Sequence, residues 1–273
     1  MTTPRTKVLK KAGMKNIKGH FGKSVLAFLL LCSVFVFIAV LEGVLREALR
    51  VPYLVETEEG LRYNRSLYNS LFVWGNLLLF FLLYEPMRLS MKGYFLNASC
   101  GKRLTVASLF DAFSGFRGFI ASVALGIKLA LLKFFWMLVL FGPPALLAFL
   151  CALCLKQVVP DTMRVALKAA LVFLAVLELF ECFLLSFVLC RYFLAPYLLI
   201  SNNASSAKEA LQKSKRLMKG RVSKAFFLQL SFFGWRRLYI FLLPALYIVP
   251  AYEAARAELA KNILLEALKK RAE

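Results

Sequence analysis

The sequence predicts an all-α fold, a polytopic helical membrane protein with five or six membrane segments plus interfacial amphipathic helices. The first reason is composition: 60% of the 273 residues are hydrophobic and the mean hydropathy is +0.69, too apolar for a soluble domain of this size. The second is that long apolar runs recur along the chain. The third is that the Lys and Arg residues, which give a formal net charge of +21, cluster between those runs. Residues 1–273 are predicted to form one helical membrane domain.

The N-terminal part of the chain predicts two membrane segments with basic flanks. Residues 1–23 are rich in lysine and contain no acid, so this basic N-terminal segment is predicted to be cytoplasmic. The apolar run Ser24–Leu41 follows, and we expect it to be a retained anchor because no small-residue cleavage site ends it. A second segment is predicted at Ser66–Met87, after a more acidic loop. Residues 88–117 are basic again and are predicted to face the cytoplasm.

The central part of the chain is crowded with apolar residues. Gly118–Phe141 and Val165–Cys190 are each long enough to cross, and Gly142-Pro143-Pro144 is expected to end the first of them. Ala145–Leu155 would span only about 16 Å as a helix, roughly half of the hydrocarbon core. Residues 201–224 are basic and therefore predicted to be cytoplasmic, which requires an even number of crossings before them. We favour a re-entrant half-helix for Ala145–Leu155; the alternative is a full crossing that violates the charge rule.

A short basic helix is predicted at Ser205–Gly220. Ser206 and Glu209 have the spacing of a capping box, and Gly220 stands where a left-handed C-cap is expected. Apolar residues recur at helical spacing and leave the cations for water or headgroups. The residues proposed to form a lipid-facing basic surface are Lys208, Lys213, Lys215, Arg216 and Lys219.

The C-terminal part of the chain carries predicted interface anchors. Trp235, Arg236 and Arg237 are ordinary anchors at a membrane interface but costly inside a span. The interfacial interpretation leaves Leu238–Tyr252 to enter the bilayer; alternatively, one of the arginines faces a buried glutamate. Residues 253–273 are predicted to form a C-terminal amphipathic helix with nearly balanced charge.

Two parts of the chain resemble a known family. The run S-A-K-E-A-L-Q-K-S-K-R-L-M-K-G, followed by F-L-Q-L-S-F-F-G-W and P-A-Y, resembles the C-terminal signature of the bacterial multi-spanning membrane family called domain of unknown function 975. The N-terminal run L-K-K-A-G-M-K-N-I-K-G-H-F-G-K-S resembles the lysine-rich opening of the same family. The resemblance implies a helical protein of the bacterial inner membrane and supplies no activity and no functional residues.

Ionisable residues inside the apolar runs form a candidate intramembrane polar cluster. Glu178 and Glu181 lie one turn apart in one predicted span, and Lys128 and Lys133 lie near the middle of another. If the two helices are antiparallel, Lys128 falls at the depth of Glu181 and Lys133 near Glu178. Insertion of each such charge into the centre of a membrane costs about 2.5–3.5 kcal/mol, so we expect each of these residues to have a structural or functional role. A structural ion-pair network and a polar path for a proton, ion or small solute both remain open.

The sequence gives little support for catalysis, cofactors or nucleic acid. His20 is the single histidine, and no nucleophile–base pair, metal-binding motif or phosphate loop accompanies it, so we expect no enzymatic activity, metal or cofactor. The basic residues flank apolar runs, which indicates anionic lipid rather than nucleic acid as the partner. We therefore expect an accessory membrane protein that engages anionic headgroups or an unknown protein partner. The alternative is a small transporter or channel-like module that uses the intramembrane charges.

Overall fold

The structure is a computed structural model that describes residues 6–57, 60–63, 66–156, 160–236, 238 and 241–272. Most of these residues are helical, and a short β-hairpin connects the second and third helices. The elements are α1 (Thr6–Lys18), α2 (Phe21–Ala48), β1 (Leu54–Thr57), β2 (Gly60–Tyr63), α3 (Leu67–Ser99), a 3-10 helix (Val106–Phe113), α4 (Phe116–Leu155), α5 (Asp161–Leu189), a 3-10 turn (Cys190–Tyr192), α6 (Ala195–Ile200), α7 (Ala207–Leu217), α8 (Val222–Leu230), α9 (Phe233–Arg236) and α10 (Leu242–Ala272).

Four helical segments among the described residues are long and apolar enough to cross a membrane. They are α2, α3, α4 and the segment Asp161–Ile200, which comprises α5, the 3-10 turn and α6. The sequence predicted five or six membrane segments, so the structure supplies fewer than expected. The difference comes from two regions: the proline-containing part of α4, and the start of α10, which is not among the four segments.

The predicted break at Gly142-Pro143-Pro144 is wrong. Helix α4 runs without interruption for 40 residues from Phe116 to Leu155, with both prolines inside it. Ala145–Leu155 is therefore the last part of this helix and not a separate re-entrant segment. Each proline removes one backbone donor, but an apolar stretch that packs along a neighbouring helix still forms the remaining hydrogen bonds most favourably as a helix. Helix α5 is that neighbour.

The first two long helices form an antiparallel hairpin. Three contacts along its length show the pairing: Ser24 Oγ with Tyr94 Oη at 3.3 Å, the ring of Phe35 with that of Tyr84 at 5.3 Å, and Arg46 Nη1 donating to Asn69 Oδ1 at 2.7 Å. The β-hairpin, in which Leu54 pairs with Tyr63, closes the far end.

Helices α4 and α5 form a second hairpin on the same plan. They are joined through residues 156–160 and pack along each other. At the start of α4, Gly126 contacts Glu85 of α3; at the end of α5, Phe187 packs on Phe226 of α8, with ring centroids 5.5 Å apart. Both hairpins therefore begin and end at the same side of the molecule. We call this side the body end and the side of the two connecting loops the loop end.

Helix α10 is the centre of a packed body at the body end. It contacts α1, α2, α3 and α8, and Ala255, Leu259 and Ile263 are completely buried in it. The frequent alanines of residues 251–260 allow close helix approach: a Cβ at Gly13 of α1 would lie 2.7 Å from the backbone nitrogen of Ala255. Helix α10 is thus a core helix, and it includes most of the stretch 253–273 that was predicted to be an amphipathic helix. The helix begins at Leu242 and continues through Pro250. The segment predicted to enter the bilayer, Leu238–Tyr252, is therefore not a separate helix, because its larger part is the start of α10.

Away from the body, the long helices leave large apolar side chains exposed. Examples on the four segments are Val36, Leu71, Leu138 and Phe173, which are 59% or more exposed. An uncovered apolar surface of this extent on soluble helices would be costly, whereas hydrocarbon solvates it without loss. This distribution is typical of a membrane protein whose hairpins are surrounded by lipid.

Candidate functional site

A cluster of ionised side chains lies at the body end, between α3 and α10. Glu85, Arg88 and Lys92 occupy one face of α3 because residues at i, i+3 and i+7 point in nearly the same direction. Glu253 and Arg256 lie one turn apart on α10. Arg88 Nη2 donates to Glu85 Oε2 at 2.7 Å, and Arg256 Nη1 donates to Glu253 Oε1 at 2.9 Å. We call these five residues the inner charged cluster.

Aromatic rings surround the cations of the inner charged cluster. The guanidinium carbon of Arg256 lies 5.2 Å from the ring centroids of both Phe193 and Tyr252. Lys92 Nζ lies 5.9 Å from the ring of Tyr197, within the range of a cation–π interaction. Tyr197 Oη and Glu253 Oε2 are buried and have no hydrogen-bond partner among the described residues. The cluster is therefore held by charge pairs and ring faces, and its hydrogen-bonding capacity is not used up.

The electrostatics of the α10 pair favour its ionised form. Burial by itself raises the pKa of Glu253, but the nearby cations of Arg256 and Lys92 outweigh burial and hold the pKa below its ordinary value of 4.5. Burial by itself lowers the pKa of Arg256, and the Glu253 carboxylate reverses that effect and raises it. Each partner of this buried pair thus keeps the other charged.

A cavity of about 400 Å³ adjoins the inner charged cluster. Glu85, Arg88, Lys92 and Arg256 all line it, and α4, the end of α5, the 3-10 turn that follows α5, α6 and α8 contribute further wall residues. Gly126 of α4 makes this arrangement possible, because a Cβ there would lie 2.6 Å from the carboxylate oxygen of Glu85. The site therefore combines buried charges, an adjacent space and a wall built on a membrane-length helix.

The structure does not bring the predicted intramembrane cluster together. Lys128 and Lys133 are exposed, Glu178 is half-buried and Glu181 is buried, and none of the ion pairs in the described part of the chain joins these lysines to these glutamates. Equal depth in two helices does not fix the direction of a side chain. Lys128 lies two residues after Gly126, about 200° around α4 from the face that meets α3.

Lys133 has a different environment from Lys128. It lies seven residues after Gly126, almost two full turns, and lines the cavity beside the inner charged cluster. Glu181 Oε2 is buried without a hydrogen-bond partner among the described residues. Two of the four predicted residues therefore remain of functional interest, in separate places.

Helix α7 has the predicted N-cap, Ser206, but its C-cap is Met218, and Gly220 takes up the predicted left-handed conformation two residues later. Ser206 Oγ accepts a hydrogen bond from the backbone N–H of Glu209 at 3.3 Å, and Gly220 has a φ of +76°. The Glu209 carboxylate accepts from the backbone N–H of Ser205 at 2.8 Å and pairs with Lys213 at 2.5 Å. These hydrogen bonds, above all the one from Lys213, lower the pKa of Glu209 to about 2.

The apolar side of α7 faces the protein and not a membrane. Ala207, Ala210 and Ser214 are buried against neighbouring helices. Ser214 Oγ donates to the carbonyl of Arg191 at 3.0 Å and accepts from the backbone N–H of Leu194 at 3.2 Å. Ser214 was not recognised as a core residue in the sequence, because a serine among lysines resembles a solvated face.

The opposite side of α7 carries exposed cations. Lys213 is engaged by Glu209 and by the carbonyl of Asn203. The other predicted residues form no ion pair with a described residue, and we call them the α7 basic face: Lys208, Lys215, Arg216 and Lys219. Three of them, together with Arg191, line an open groove of about 890 Å³ in which no acidic residue takes part. Phe187, from the last turn of α5, borders the same groove.

The predicted interface anchors are only partly described. Trp235 is 56% exposed on the short helix α9. The side chain of Arg236 and the whole of Arg237 lie outside the described residues. Nearby, Lys10 of α1 donates to the carbonyl of Ser231 at 2.9 Å and lies over the ring of Phe232 at 4.2 Å, so this part of the chain is attached to the body.

Comparison with known proteins gives a family but no function. No curated protein and no solved structure matches the sequence. A family model described as "Protein of unknown function (DUF975)" matches residues 1–267. This match confirms the resemblance seen in the two end regions of the sequence and extends it across the central helices. The chain belongs to the DUF975 family.

Proposed function

We propose that the chain is an integral protein of the bacterial inner membrane that crosses it four times, with the body end in the cytoplasm. Residues 6–23, 88–117 and 201–224, which hold much of the unopposed Lys and Arg, belong to the side where both hairpins begin and end. Cytoplasmic loops of membrane proteins carry such an excess of basic residues. With two hairpins and four crossings, this orientation satisfies the charge rule without a re-entrant segment.

In this proposal the protein has a structural or accessory role, and its cytoplasmic body engages anionic lipid headgroups or a protein partner. The observation that supports it best is the α7 basic face, where four cations are exposed without ion pairs to described residues. A cation that forms no internal pair is available to an anionic surface, and each contributes about 1 kcal/mol near such a surface. No catalytic step, cofactor or nucleic acid enters this proposal.

The mode of lipid contact differs from that of a free amphipathic helix. Because the apolar side of α7 is buried in the body, α7 cannot insert a stripe into the bilayer, and its attraction to lipid rests on charge. The groove between Arg191 and the α7 basic face opens beside Phe187, at the end of a membrane-length helix. Lipid attraction that rests on charge is weakened by salt.

The test compares lipid selectivity of the full-length protein and two matched variants. The protein is reconstituted with equal amounts of phosphatidylglycerol and phosphatidylcholine, and the lipids retained after extraction are counted by native mass spectrometry. We expect enrichment of phosphatidylglycerol that falls as salt rises. Replacing the four residues of the α7 basic face with glutamine is expected to remove most of this enrichment.

In the control variant, four cations at the loop end are replaced with glutamine. They are Arg50, Lys156, Arg164 and Lys168. These side chains are exposed, so the two variants lose the same charge at opposite ends of the hairpins. If the protein enriches anionic lipid, only the α7 variant should reduce it. Equal enrichment in the wild type and both variants would contradict the proposal for the α7 basic face.

The second candidate function is a small transporter or channel-like module. One observation favours it: the buried Glu181 carboxylate in α5 has an oxygen with no hydrogen-bond partner among the described residues. An ionisable group inside an apolar helix is costly and is a frequent component of proton and ion pathways. Substrate-dependent flux in proteoliposomes tests this function, with a Glu178→Gln, Glu181→Gln double variant as the control. Flux that is the same in the variant would exclude these carboxylates from a pathway.

A further inference from the structure

Lys92 is the cation of the inner charged cluster that faces an aromatic ring, that of Tyr197, and forms no direct ion pair with a described residue. It is 7% exposed, yet it forms neither a hydrogen bond nor an ion pair with any described residue. Its neighbours Arg88 and Arg256 are paired with Glu85 and Glu253. A buried ammonium group without a close acceptor is among the most costly arrangements in a protein interior. The Glu253 carboxylate offsets the charge of Lys92 at longer range but is bonded to Arg256, so an anion in direct contact with Lys92 would stabilise its charge further.

The position of Lys92 shows where that anion would bind. Lys92 lines the cavity of about 400 Å³ together with Arg88, Arg256 and Lys133. The carboxylate of Glu85 also lines it, but Glu85 is already engaged by Arg88. Three cations face two carboxylates within the inner charged cluster, and Lys133 adds a further positive charge at the exposed rim. The cavity therefore has an excess of positive charge.

Part of the remaining wall of the cavity is apolar and belongs to the membrane-length helices. Phe80 and Phe81 of α3 and Leu129 of α4 line it, and all three lie nearer the loop end than Glu85 and Gly126 do. The polar part of the cavity is thus buried against the body, and its apolar part faces the region of exposed apolar side chains. This combination suits a ligand with a negatively charged head, either alone or attached to an apolar chain.

We propose that this cavity binds an anionic phosphate group, with Lys92, Arg88, Arg256 and Lys133 as its cationic ligands. Arginine presents paired donors that match phosphate oxygens, and lysine contributes a point charge. The group could come from the headgroup of an anionic lipid or from a soluble phosphate compound. This inference is independent of the α7 basic face, because no residue of that face lines the cavity.

The experiment measures binding to the full-length protein in a neutral detergent. Two probes are titrated separately, inorganic phosphate and a short-chain phosphatidylglycerol, and short-chain phosphatidylcholine serves as the uncharged reference. Binding is followed by the rise in thermal unfolding temperature with probe concentration. We expect saturable binding of at least one anionic probe and weaker binding of the reference.

Matched charge variants decide whether the cavity is the site. Lys92→Gln is expected to weaken binding about tenfold, the loss typical of one charged hydrogen bond. Lys168→Gln removes one exposed charge at the loop end, away from both the cavity and the α7 basic face, and is expected to leave the affinity within about twofold. If Lys92→Gln does not fold, Lys133→Gln at the exposed rim removes a cavity charge without disturbing the core, and we expect it to weaken binding severalfold.

Each outcome bears on the proposal. Binding of the lipid probe alone that is sensitive to the cavity variants supports a lipid headgroup, and equally sensitive binding of inorganic phosphate supports a soluble ligand. The absence of saturable binding to both anionic probes would overturn the proposal. Saturable binding that neither Lys92→Gln nor Lys133→Gln weakens relative to Lys168→Gln would also overturn it, because the anion would then bind outside the cavity.

Discussion

Substitution of Gly13 by alanine is expected to separate α1 from α10. A Cβ at Gly13 would lie 2.7 Å from the backbone nitrogen of Ala255 and 2.9 Å from the carbonyl carbon of Ala254. These are backbone atoms of a buried helix, so no change of rotamer can relieve the overlap. Helix α1 would have to move by about 0.7 Å, the difference between 2.7 Å and an ordinary contact of 3.4 Å.

The magnitude follows from the residues on either side of Gly13. Leu9 and Ile17 are 1% and 0% exposed, and both depend on the same close approach. A gap of about 0.5–1 Å forfeits roughly a quarter to a half of the dispersion energy of the atoms concerned. Overpacking typically costs about 1–3 kcal/mol. The higher helix propensity of alanine offsets up to about 1 kcal/mol. We therefore expect Gly13→Ala to lower the free energy of unfolding by about 1–2 kcal/mol.

The assay is thermal unfolding of the full-length protein in a neutral detergent. Gly22→Ala is the matched control, because Gly22 is also helical and a Cβ there would meet no atom within 4 Å. Gly13→Ala should lower the midpoint, whereas Gly22→Ala should leave it unchanged or raise it. A stabilisation by Gly13→Ala equal to that of Gly22→Ala would refute the close packing of α1 on α10.

Three further predictions follow from the body and the hairpins. In a cysteine-free background, Lys215→Cys should react with a membrane-impermeant thiol reagent only after cells are opened, whereas Arg164→Cys should react in intact cells. Ser214→Ala should lower the free energy of unfolding by about 1–3 kcal/mol, because it leaves two buried backbone groups without their partner, as thermal unfolding would show. The depressed pKa of Glu253 means that its carboxylate stabilises the fold above pH 4.5 and loses this effect as pH falls through the lower folded-state value. The difference in unfolding temperature between the wild type and Glu253→Gln should therefore shrink in acid.

Each of these predictions has a result that would contradict it. Reaction of Lys215→Cys in intact cells would reverse the proposed orientation. Ser114→Ala, which removes an exposed hydroxyl bonded to the Asp111 carbonyl at 2.7 Å, is the control for Ser214→Ala and should have a much smaller effect. For Glu253→Gln, a temperature difference from the wild type that stays constant from neutral to acid pH would mean that Glu253 is not charged in the folded protein.

Local signals in the sequence predicted local structure well. The capping residue Ser206 and the left-handed Gly220 were both identified from their spacing, since a cap is determined by a few neighbouring residues. The long apolar runs likewise predicted membrane-length helices. Proline was the exception: its cost to an isolated helix is known from the residue alone, but the packing that outweighs this cost in α4 depends on α5.

The inner charged cluster shows why a site of this kind is hard to predict. Glu85, Arg88 and Lys92 are recognisable as one face of a helix, and this spacing was the available signal. Glu253 and Arg256 come about 160 positions later, in a helix that the sequence showed only as amphipathic with nearly balanced charge. The alanines of α10 are buried and allow it to pack at the centre of the body. In the sequence, however, their spacing does not differ from that of an ordinary amphipathic helix. The spacing of the charges shows which residues share a face of α3. Only the tertiary packing shows that this face meets Glu253 and Arg256 of α10.

The unbroken length of α4 has a mechanical consequence. From Phe134, which follows the last α4 residue at the cavity, to Leu155 the helix spans about 33 Å, slightly more than the thickness of a typical hydrocarbon core, about 30 Å. Inserted as proposed, this arm exhibits hydrophobic mismatch, which a bilayer accommodates by tilting or bending the helix or by thickening around it. The prolines Pro143 and Pro144 leave the carbonyls of Val139 and Leu140 without their helical donors, so bending is easiest there. The angle between the two parts of α4 would then vary with the thickness of the surrounding membrane.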